Sequence, residues 1–177
     1  VIPLTVVKTI RYANESYCAH EEGGAVGESI YDHMGGSEAL RRLMHIFYGK
    51  VRLDPLLEPL FGAMPDDHPD HVALWLGEVF GGPADYTATR GGYPNMVLAH
   101  INRDIGDEQR TRWVELLYSS LDEAGLPDDE RFRHTFRSYI EWGTRLAQRN
   151  SQIGFTPPRQ AQVPAWPWSA EPAERRQ

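Results

Sequence analysis

The stretch SEALRRLMHIFYGKV, residues 37–51, decides the fold class of this chain of 177 residues. Its apolar residues recur at three- and four-residue spacing, the period of an α-helix with one buried face. They are Leu40, Leu43, Met44, Phe47 and Tyr48. Ser37 follows two glycines and is the expected N-cap, because a serine hydroxyl accepts a hydrogen bond from a free N–H group of the first turn. The stretch predicts an amphipathic helix that covers a hydrophobic core.

Three further stretches repeat this helical period. Residues 66–80 begin with two aspartates and a proline and end at a Gly-Gly-Pro stop. Residues 107–125 begin with acidic residues, which suit the positive end of a helix dipole, and residues 128–148 carry the longest amphipathic pattern. No segment between residues 29 and 150 shows sustained period-two alternation. The sequence therefore predicts an all-α fold.

The composition divides the chain into three parts. Residues 1–28 are expected to be an N-terminal arm or a short pre-helix, residues 29–150 the helical domain, and residues 151–177 a proline-rich tail. The tail contains Trp166 and Trp168. We expect these tryptophans to dock on the surface of the domain itself, with a partner protein or a disordered tail as the alternatives.

The charge pattern excludes several classes of partner. The net charge is −7 and no cluster of Lys and Arg is present, which argues against a nucleic acid or an anionic membrane surface. The apolar segment VIPLTVVKTI is too short to span a bilayer, and its positive charges follow the apolar run, unlike those of a signal peptide. Cys18, the lone cysteine, permits no intramolecular disulfide. We expect a cytoplasmic protein.

Common catalytic motifs are missing from the sequence. It contains no GxSxG motif and no glycine-rich phosphate loop, so neither a serine hydrolase nor a nucleotide-binding protein is indicated. His68 and His71 have the spacing of a possible metal-ligand pair, but no HExxH pattern accompanies them. A zinc site is not favoured, and on residues alone this pair is better explained as the solvated first turn of a helix.

His100 ends the stretch RGGYPNMVLAH and has mostly apolar neighbours. Taken alone, it is either a satisfied core residue or a ligand to a cofactor. Aromatic residues on or beside the apolar faces of separate segments would line a flat cavity with rings; they are Tyr48, Phe61, Trp75, Phe80 and Trp113. Such a cavity suits haem, whose iron is bound by a neutral imidazole nitrogen and whose ring is enclosed by apolar side chains.

Four stretches, in this order and at these separations, resemble a group II truncated haemoglobin. They are YDHMGGSEALRRLMHIFYGKVRLDPLLEPLF, LGEVFGGP, RGGYPNMVLAHI and DEQRTRWVELL. Any one of these stretches would be weak evidence for the family, but the ordered set is specific to it and covers about residues 30–150. The resemblance implies a two-over-two helical sandwich that holds one b-type haem.

The resemblance also implies roles for individual residues. His100 takes the proximal position and binds the iron, while Tyr48 and Trp113 lie on the distal side and donate hydrogen bonds to the bound ligand. Phe61 takes the ring-stacking position, and Arg90 matches a position that pairs with a haem propionate. The distal helix is expected to bring four residues to the haem: His68, Val72, Trp75 and Leu76. The start of this helix is not fixed to the residue, so His68 either faces the haem or does not. His71, one turn further along, could instead face solvent.

Two classes of function follow from a bound haem. In the first, the protein is a redox enzyme that converts nitric oxide and O₂ to nitrate or reduces peroxide, with an external reductase as electron donor. In the second, it stores, scavenges or senses O₂, NO or CO without turnover. A haem-free helical interaction domain is the outside alternative. The tail is expected either to cover the haem edge or to mediate self-association as a homodimer.

Overall fold

A computed structural model describes residues 27–156 and 161–168 of the chain. The predicted arm over residues 1–28 lies almost wholly outside the described residues. Within the described ranges the chain forms eight helices and no strand. The helices are α1 (Ile30–His33), α2 (Gly36–Val51), α3 (Glu58–Phe61), α4 (His68–Val79), α5 (Asp85–Arg90), α6 (Gly92–Leu98), α7 (Asp107–Leu121) and α8 (Glu130–Ser151).

The four long helices form two layers. Helix α2 packs most extensively against α4, and α7 packs against both α2 and α8. The α2–α4 pair thus lies over the α7–α8 pair, which is the two-over-two sandwich, and the predicted all-α class is confirmed. The short helices α5 and α6 pack on each other beside α4. None of the helices in the described ranges combines the length and apolarity that crossing a membrane requires.

Helix α2 buries the face that its sequence predicts. The five apolar residues identified from their spacing are all buried, and four of them are completely inaccessible to solvent. The predicted N-cap is wrong, however, because the helix begins at Gly36 and the cap position is Gly35. Gly35 adopts a φ of 97°, which few residues other than glycine tolerate, so the helix is capped two residues before Ser37.

Phenylalanine rings fill the interface between the end of α4 and helix α8. Phe80 stacks on Phe136 with ring centroids 5.5 Å apart, and Phe136 lies 5.6 Å from Phe132. All three side chains are almost completely buried. Asp129 caps α8, since its side chain accepts a hydrogen bond from the N–H of Phe132 at 2.8 Å. Each buried phenylalanine stabilises the fold by about 1.5–3 kcal/mol through removal of apolar surface from water.

The double glycine after α4 is required by close packing. Gly81 adopts a φ of 93°. A Cβ atom on Gly82 would lie 2.7 Å from the Tyr31 ring and 2.9 Å from the carbonyl oxygen of Gly77. No side chain fits at that distance without displacement of the backbone. The predicted helix stop at this site is confirmed, and Gly82 additionally allows α1 to lie directly on the end of α4.

Two distant segments are anchored at the last turn of α4. The N–H of Tyr31 donates to the carbonyl of Phe80 at 3.0 Å, and the N–H of Trp166 donates to the carbonyl of Val79 at 2.9 Å. The indole Nε1 of Trp168 also donates to the backbone carbonyl of Glu28 at 2.8 Å. The expectation that the tail tryptophans dock on the domain itself is therefore confirmed.

Candidate functional site

A cavity of about 390 Å³ lies between the two helical layers. Helices α2, α3, α4, α6, α7 and α8 all contribute side chains to its wall, which is mainly apolar. A mostly apolar cavity of this size with a few polar groups is typical of a site for a small molecule or cofactor. Every residue predicted for the site lines this cavity except Arg90: they are Tyr48, Phe61, His68, Val72, Trp75, Leu76, His100 and Trp113.

His100 lies just beyond α6, with one nitrogen engaged and the other free. Its Nδ1 lies 2.8 Å from the carbonyl oxygen of Met96, so Nδ1 carries the proton and donates it. Nε2 is then the unprotonated nitrogen, the form that binds a metal. Burial lowers the pKa of His100, although the hydrogen bond to Met96 opposes this effect in part. The imidazole is therefore neutral at pH 7.

The segment after His100 is held by unusual backbone conformations. Asn102 and Asp104 adopt φ values of 59° and 49°, in the left-handed region that Asn and Asp tolerate better than most side chains do. The N–H of Asp104 donates to the carbonyl of Ser151 at 3.0 Å, and the N–H of Ile105 donates to the Ser151 hydroxyl at 2.9 Å. These bonds attach the loop to the end of α8 and fix the direction in which the chain leaves His100.

Tyr48 and His68 form a pair on the wall supplied by α2 and α4. The Tyr48 hydroxyl lies 3.2 Å from His68 Nε2, and the two rings meet edge to face with centroids 4.9 Å apart. Burial lowers the pKa of His68 to about 4, with smaller contributions from His71 and His100, so the imidazole is neutral at pH 7. Burial also raises the pKa of Tyr48. The pair thus presents two neutral groups that can each donate or accept one hydrogen bond.

Trp113 reaches the same part of the cavity from α7. Its ring packs edge to face on Phe47 at a centroid distance of 4.7 Å, which fixes the orientation of the indole. The indole N–H of Trp113, a donor near the Tyr48 hydroxyl, acts against the effect of burial on the pKa of Tyr48. Phe61 lies 5.9 Å from Tyr48, centroid to centroid, and encloses the pair from α3. Donor groups from three elements therefore converge on one region.

Aromatic residues of α4 and α5 form one wall of the cavity. Trp75 is buried, and its Nε1 donates to the Tyr139 hydroxyl of α8 at 2.7 Å. Tyr86 packs edge to face on Trp75 at 5.1 Å. Val72 and Leu76 flank Trp75 on the same face of the helix. These side chains form a flat apolar wall with one satisfied polar contact.

Arg90 lies outside the cavity wall, at its charged mouth. It is exposed, and its guanidinium lies 3.6 Å from Asp67. His71 Nε2 also lies close to Asp67, at 2.9 Å, although the angles are poor and the buried Nε2 atom makes no hydrogen bond. His71 lines the cavity, as His68 does, so the suggestion that His71 faces solvent is not supported. Its free nitrogen is available to a polar group that enters the mouth.

Several cavity residues were not identified from the sequence. Tyr93 and Met96 lie on α6, seven and four residues before His100, a spacing that would have indicated a shared face if the helix continued to His100. Tyr139 was assigned only to the apolar stripe of α8, because periodicity does not distinguish a core position from a cavity wall. Arg103 and Arg110 also line the cavity, but no sequence pattern distinguishes them from surface arginines.

Comparisons with known proteins agree with this architecture. The family described as bacterial-like globin matches residues 29–140. The group 2 truncated hemoglobin YjbI of Bacillus subtilis is 29% identical over 96 residues, which cover 54% of this chain and 72% of that protein. The hemoglobin of the thermophilic phototrophic bacterium Chloroflexus aurantiacus is 34% identical, with a TM-score of 0.60 and coverage of 67% of this chain and 96% of that chain. The truncated oxygen-avid haemoglobin of Bacillus subtilis is 26% identical, also with a TM-score of 0.60, covering 67% of this chain and 98% of that chain.

The family match extends over more than half of the chain and includes the helices that form most of the cavity. The chain therefore belongs to the bacterial-like globin family and, as its ordered motifs predict, to the truncated haemoglobins of group II.

Proposed function

We propose that the chain binds haem b in this cavity through His100 Nε2 and holds O₂ or another diatomic ligand on the side of Tyr48, His68 and Trp113. The family implies a haem cofactor and a diatomic ligand. One observation carries the finer proposal: the free nitrogen of His100 and the converging donors line the same apolar cavity. Haem iron, when bound, supplies a reversible site for diatomic ligands and one-electron redox chemistry.

The residues present fit a haem group. Porphyrin iron needs only one or two ligands from the protein, and His100 offers one neutral imidazole held by Met96. The hydrogen bond from Nδ1 to the carbonyl of Met96 fixes the imidazole ring and makes the metal-binding nitrogen more basic. Phe61, Val72, Trp75 and Leu76 provide the apolar surface that encloses such a ring. We therefore assign them to cofactor binding, and Trp113 both to cofactor binding and to ligand stabilisation.

The hydrogen bonds among the polar groups support a specific orientation for the Tyr48 hydroxyl. If His68 carries its proton on Nε2, the Tyr48 oxygen accepts a hydrogen bond from His68. The hydrogen of the Tyr48 hydroxyl is not used in that bond and is free to point into the cavity. In this arrangement Tyr48 donates to the outer atom of the ligand, where negative charge accumulates. His68 acts mainly by orienting Tyr48.

The charged mouth of the cavity suits the propionate groups of haem. Arg90 is paired with Asp67 in this structure, and His71 Nε2 is buried without a hydrogen bond. A propionate at the mouth would compete with Asp67 for Arg90 and could accept a hydrogen bond from His71. We propose Arg90 as a propionate partner on this basis. Its exposure limits the gain, because an ion pair of this kind contributes about 0–1 kcal/mol.

Redox chemistry is the activity that we propose for the loaded protein. With haem in the cavity, Tyr48 and Trp113 would offer hydrogen bonds to a ligand that carries negative charge, and such charge accompanies both nitric oxide dioxygenation and peroxide reduction. An external reductase would return the electron to the haem. We expect the protein to be cytoplasmic, where it would have access to such a reductase. Storage or sensing without turnover is the alternative. Mixing the O₂-loaded protein with nitric oxide in the presence of an electron donor separates the two. One nitrate per haem is expected of either function, and only the redox function predicts repeated turnover.

The proximal assignment is tested by substituting the histidine and restoring the imidazole. We expect one haem per chain in the native protein, with a Soret band that shifts on reduction with dithionite and addition of CO. In His100→Gly the ferrous five-coordinate spectrum should be lost and should return when free imidazole is added. His134→Ala, a change of an exposed histidine on α8, is the matched control. A native spectrum in His100→Gly without imidazole would refute the role of His100, and a protein that takes up no haem would refute the proposed function.

A further inference from the structure

Residues 161–168, which we call the strap, run across the outside of α4 and α8. The strap is neither helix nor strand, and it is attached by two hydrogen bonds. At one, the backbone N–H of Trp166 donates to Val79 at 2.9 Å; at the other, the indole of Trp168 donates to Glu28 at 2.8 Å. The family match ends at residue 140, so the strap lies outside the matched region.

Aromatic contacts add to these two hydrogen bonds. The Trp166 ring lies 5.5 Å from Tyr139 and 5.4 Å from Trp142, measured between centroids. The Trp168 ring meets His33 edge to face at 5.1 Å, and the guanidinium of Arg131 lies 4.4 Å above it. The strap is therefore held at two tryptophans, one beside α8 and the other beside α1 and the start of α8.

The strap also forms part of the cavity wall. Pro164 lines the cavity, as do Tyr139 and Trp142, the two residues that Trp166 covers. Trp142 thus contacts the cavity while remaining 37% exposed to solvent. At this position the cavity wall consists of Pro164 of the strap and of Tyr139 and Trp142 of α8.

We propose that the strap closes a side entrance to the cavity beside Tyr139 and Trp142, and that its release admits water and small ligands. The strap is joined to the domain through few contacts, so it can open locally while the helices stay folded. Its prolines, Pro164 and Pro167, restrict the released segment and so lower the entropic cost of redocking. The small ligands named here are those of the proposed function, on which this part of the inference rests. The closing of the side entrance itself depends only on the strap and the cavity.

The experiment compares the unaltered chain with Trp166→Ala, which removes the ring over Tyr139 and Trp142 but keeps the backbone hydrogen bond to Val79. Trp166→Phe restores an aromatic ring, and Ile153→Ala changes an exposed apolar side chain that is 79% accessible. We measure the bimolecular association rate of CO with the haem-loaded protein. A loss of about 1 kcal/mol in docking should raise the open fraction, and hence this rate, about fivefold in Trp166→Ala. The phenylalanine and control variants should stay close to the native rate.

A haem-free measurement keeps this test separate from the proposed function. The apolar dye anilinonaphthalene sulfonate should enter the cavity of the haem-free Trp166→Ala protein faster than that of the native chain. Faster entry of both CO and dye supports the strap as a gate. If the native chain binds no haem, the proposed function fails, and the dye rates alone decide about the strap. Equal CO rates in native protein and Trp166→Ala with full haem content, or equal dye rates, would overturn the gate.

Discussion

Tyr48→Phe tests the arrangement of donors in the cavity most directly, because it removes one oxygen atom from a buried ring. The Tyr48 hydroxyl lies 3.2 Å from His68 Nε2, and Trp113 supplies a second donor on the same side of the cavity. A hydrogen bond to a charged acceptor contributes about 1.5–3 kcal/mol. Because each 1.4 kcal/mol is a factor of ten, O₂ should dissociate roughly 10- to 100-fold faster from the variant.

The assay is stopped-flow replacement of O₂ by CO in the haem-loaded protein, with thermal unfolding recorded in parallel. Tyr118→Phe is the matched control, since the Tyr118 hydroxyl donates to the carbonyl of Arg137 at 3.4 Å and does not reach the cavity. An unchanged dissociation rate in Tyr48→Phe, with haem content intact, would refute the reasoning. It would mean that the Tyr48 hydroxyl donates to His68 and that another group holds the ligand.

Three further expectations follow from other contacts. Trp113→Phe should also speed O₂ dissociation, by roughly tenfold for one lost donor, in the same stopped-flow assay. Gly82→Ala should lower the free energy of unfolding in urea by about 1–3 kcal/mol, because the added Cβ overlaps packed atoms, whereas Gly49→Ala, on an open face of α2, should raise it by about 0.5–1 kcal/mol. Equal effects of the two glycine changes would show that the close approach at Gly82 is not restrictive. The hydrogen bond to Asp129 raises the pKa of His33, so the stability from this pair is present below the unfolded pKa of His33 and is lost as pH rises through the folded value. His33→Gln should therefore destabilise the protein more at about pH 5.5 than at about pH 8.5, by less than about 1 kcal/mol for so exposed a pair, and the reverse order in urea titrations would contradict this sign.

The long helices could be predicted from the sequence because each buries one apolar stripe over several turns. The face of α2 and the acidic start of α4 are clear examples. The short helices α3, α5 and α6 have between four and seven residues, too few for a period to emerge, and they depend on packing against the long helices. Ser37 was wrongly placed as a cap because a favourable side chain says nothing about the backbone angles of the glycine before it.

The candidate site could be predicted only where a resemblance supplied the pairing of distant residues. His100 was marked by its apolar neighbours, but nothing in its local sequence identifies Tyr48 or Trp113 as facing the same cavity. Periodicity assigns a residue to a face of its helix and leaves the distance between faces undetermined. Periodicity correctly places Tyr139 on the buried face of α8, but it does not show that this residue also lines the cavity. It likewise gives no sign of the pairing of Arg90 with Asp67.

The last turn of α4 supplies the hydrogen-bond acceptors for two segments, the one that contains Tyr31 and the strap that contains Trp166. A helix end leaves its final carbonyls without partners inside the helix, and here neighbouring carbonyls, those of Val79 and Phe80, accept bonds from Trp166 and Tyr31. These bonds join residues far apart in the sequence, so they close long loops and should form late in folding. Fraying of this one turn removes both acceptors at once. In native-state hydrogen exchange the amides of Tyr31 and Trp166 should therefore share that opening event, while release of the strap alone exposes only the amide of Trp166.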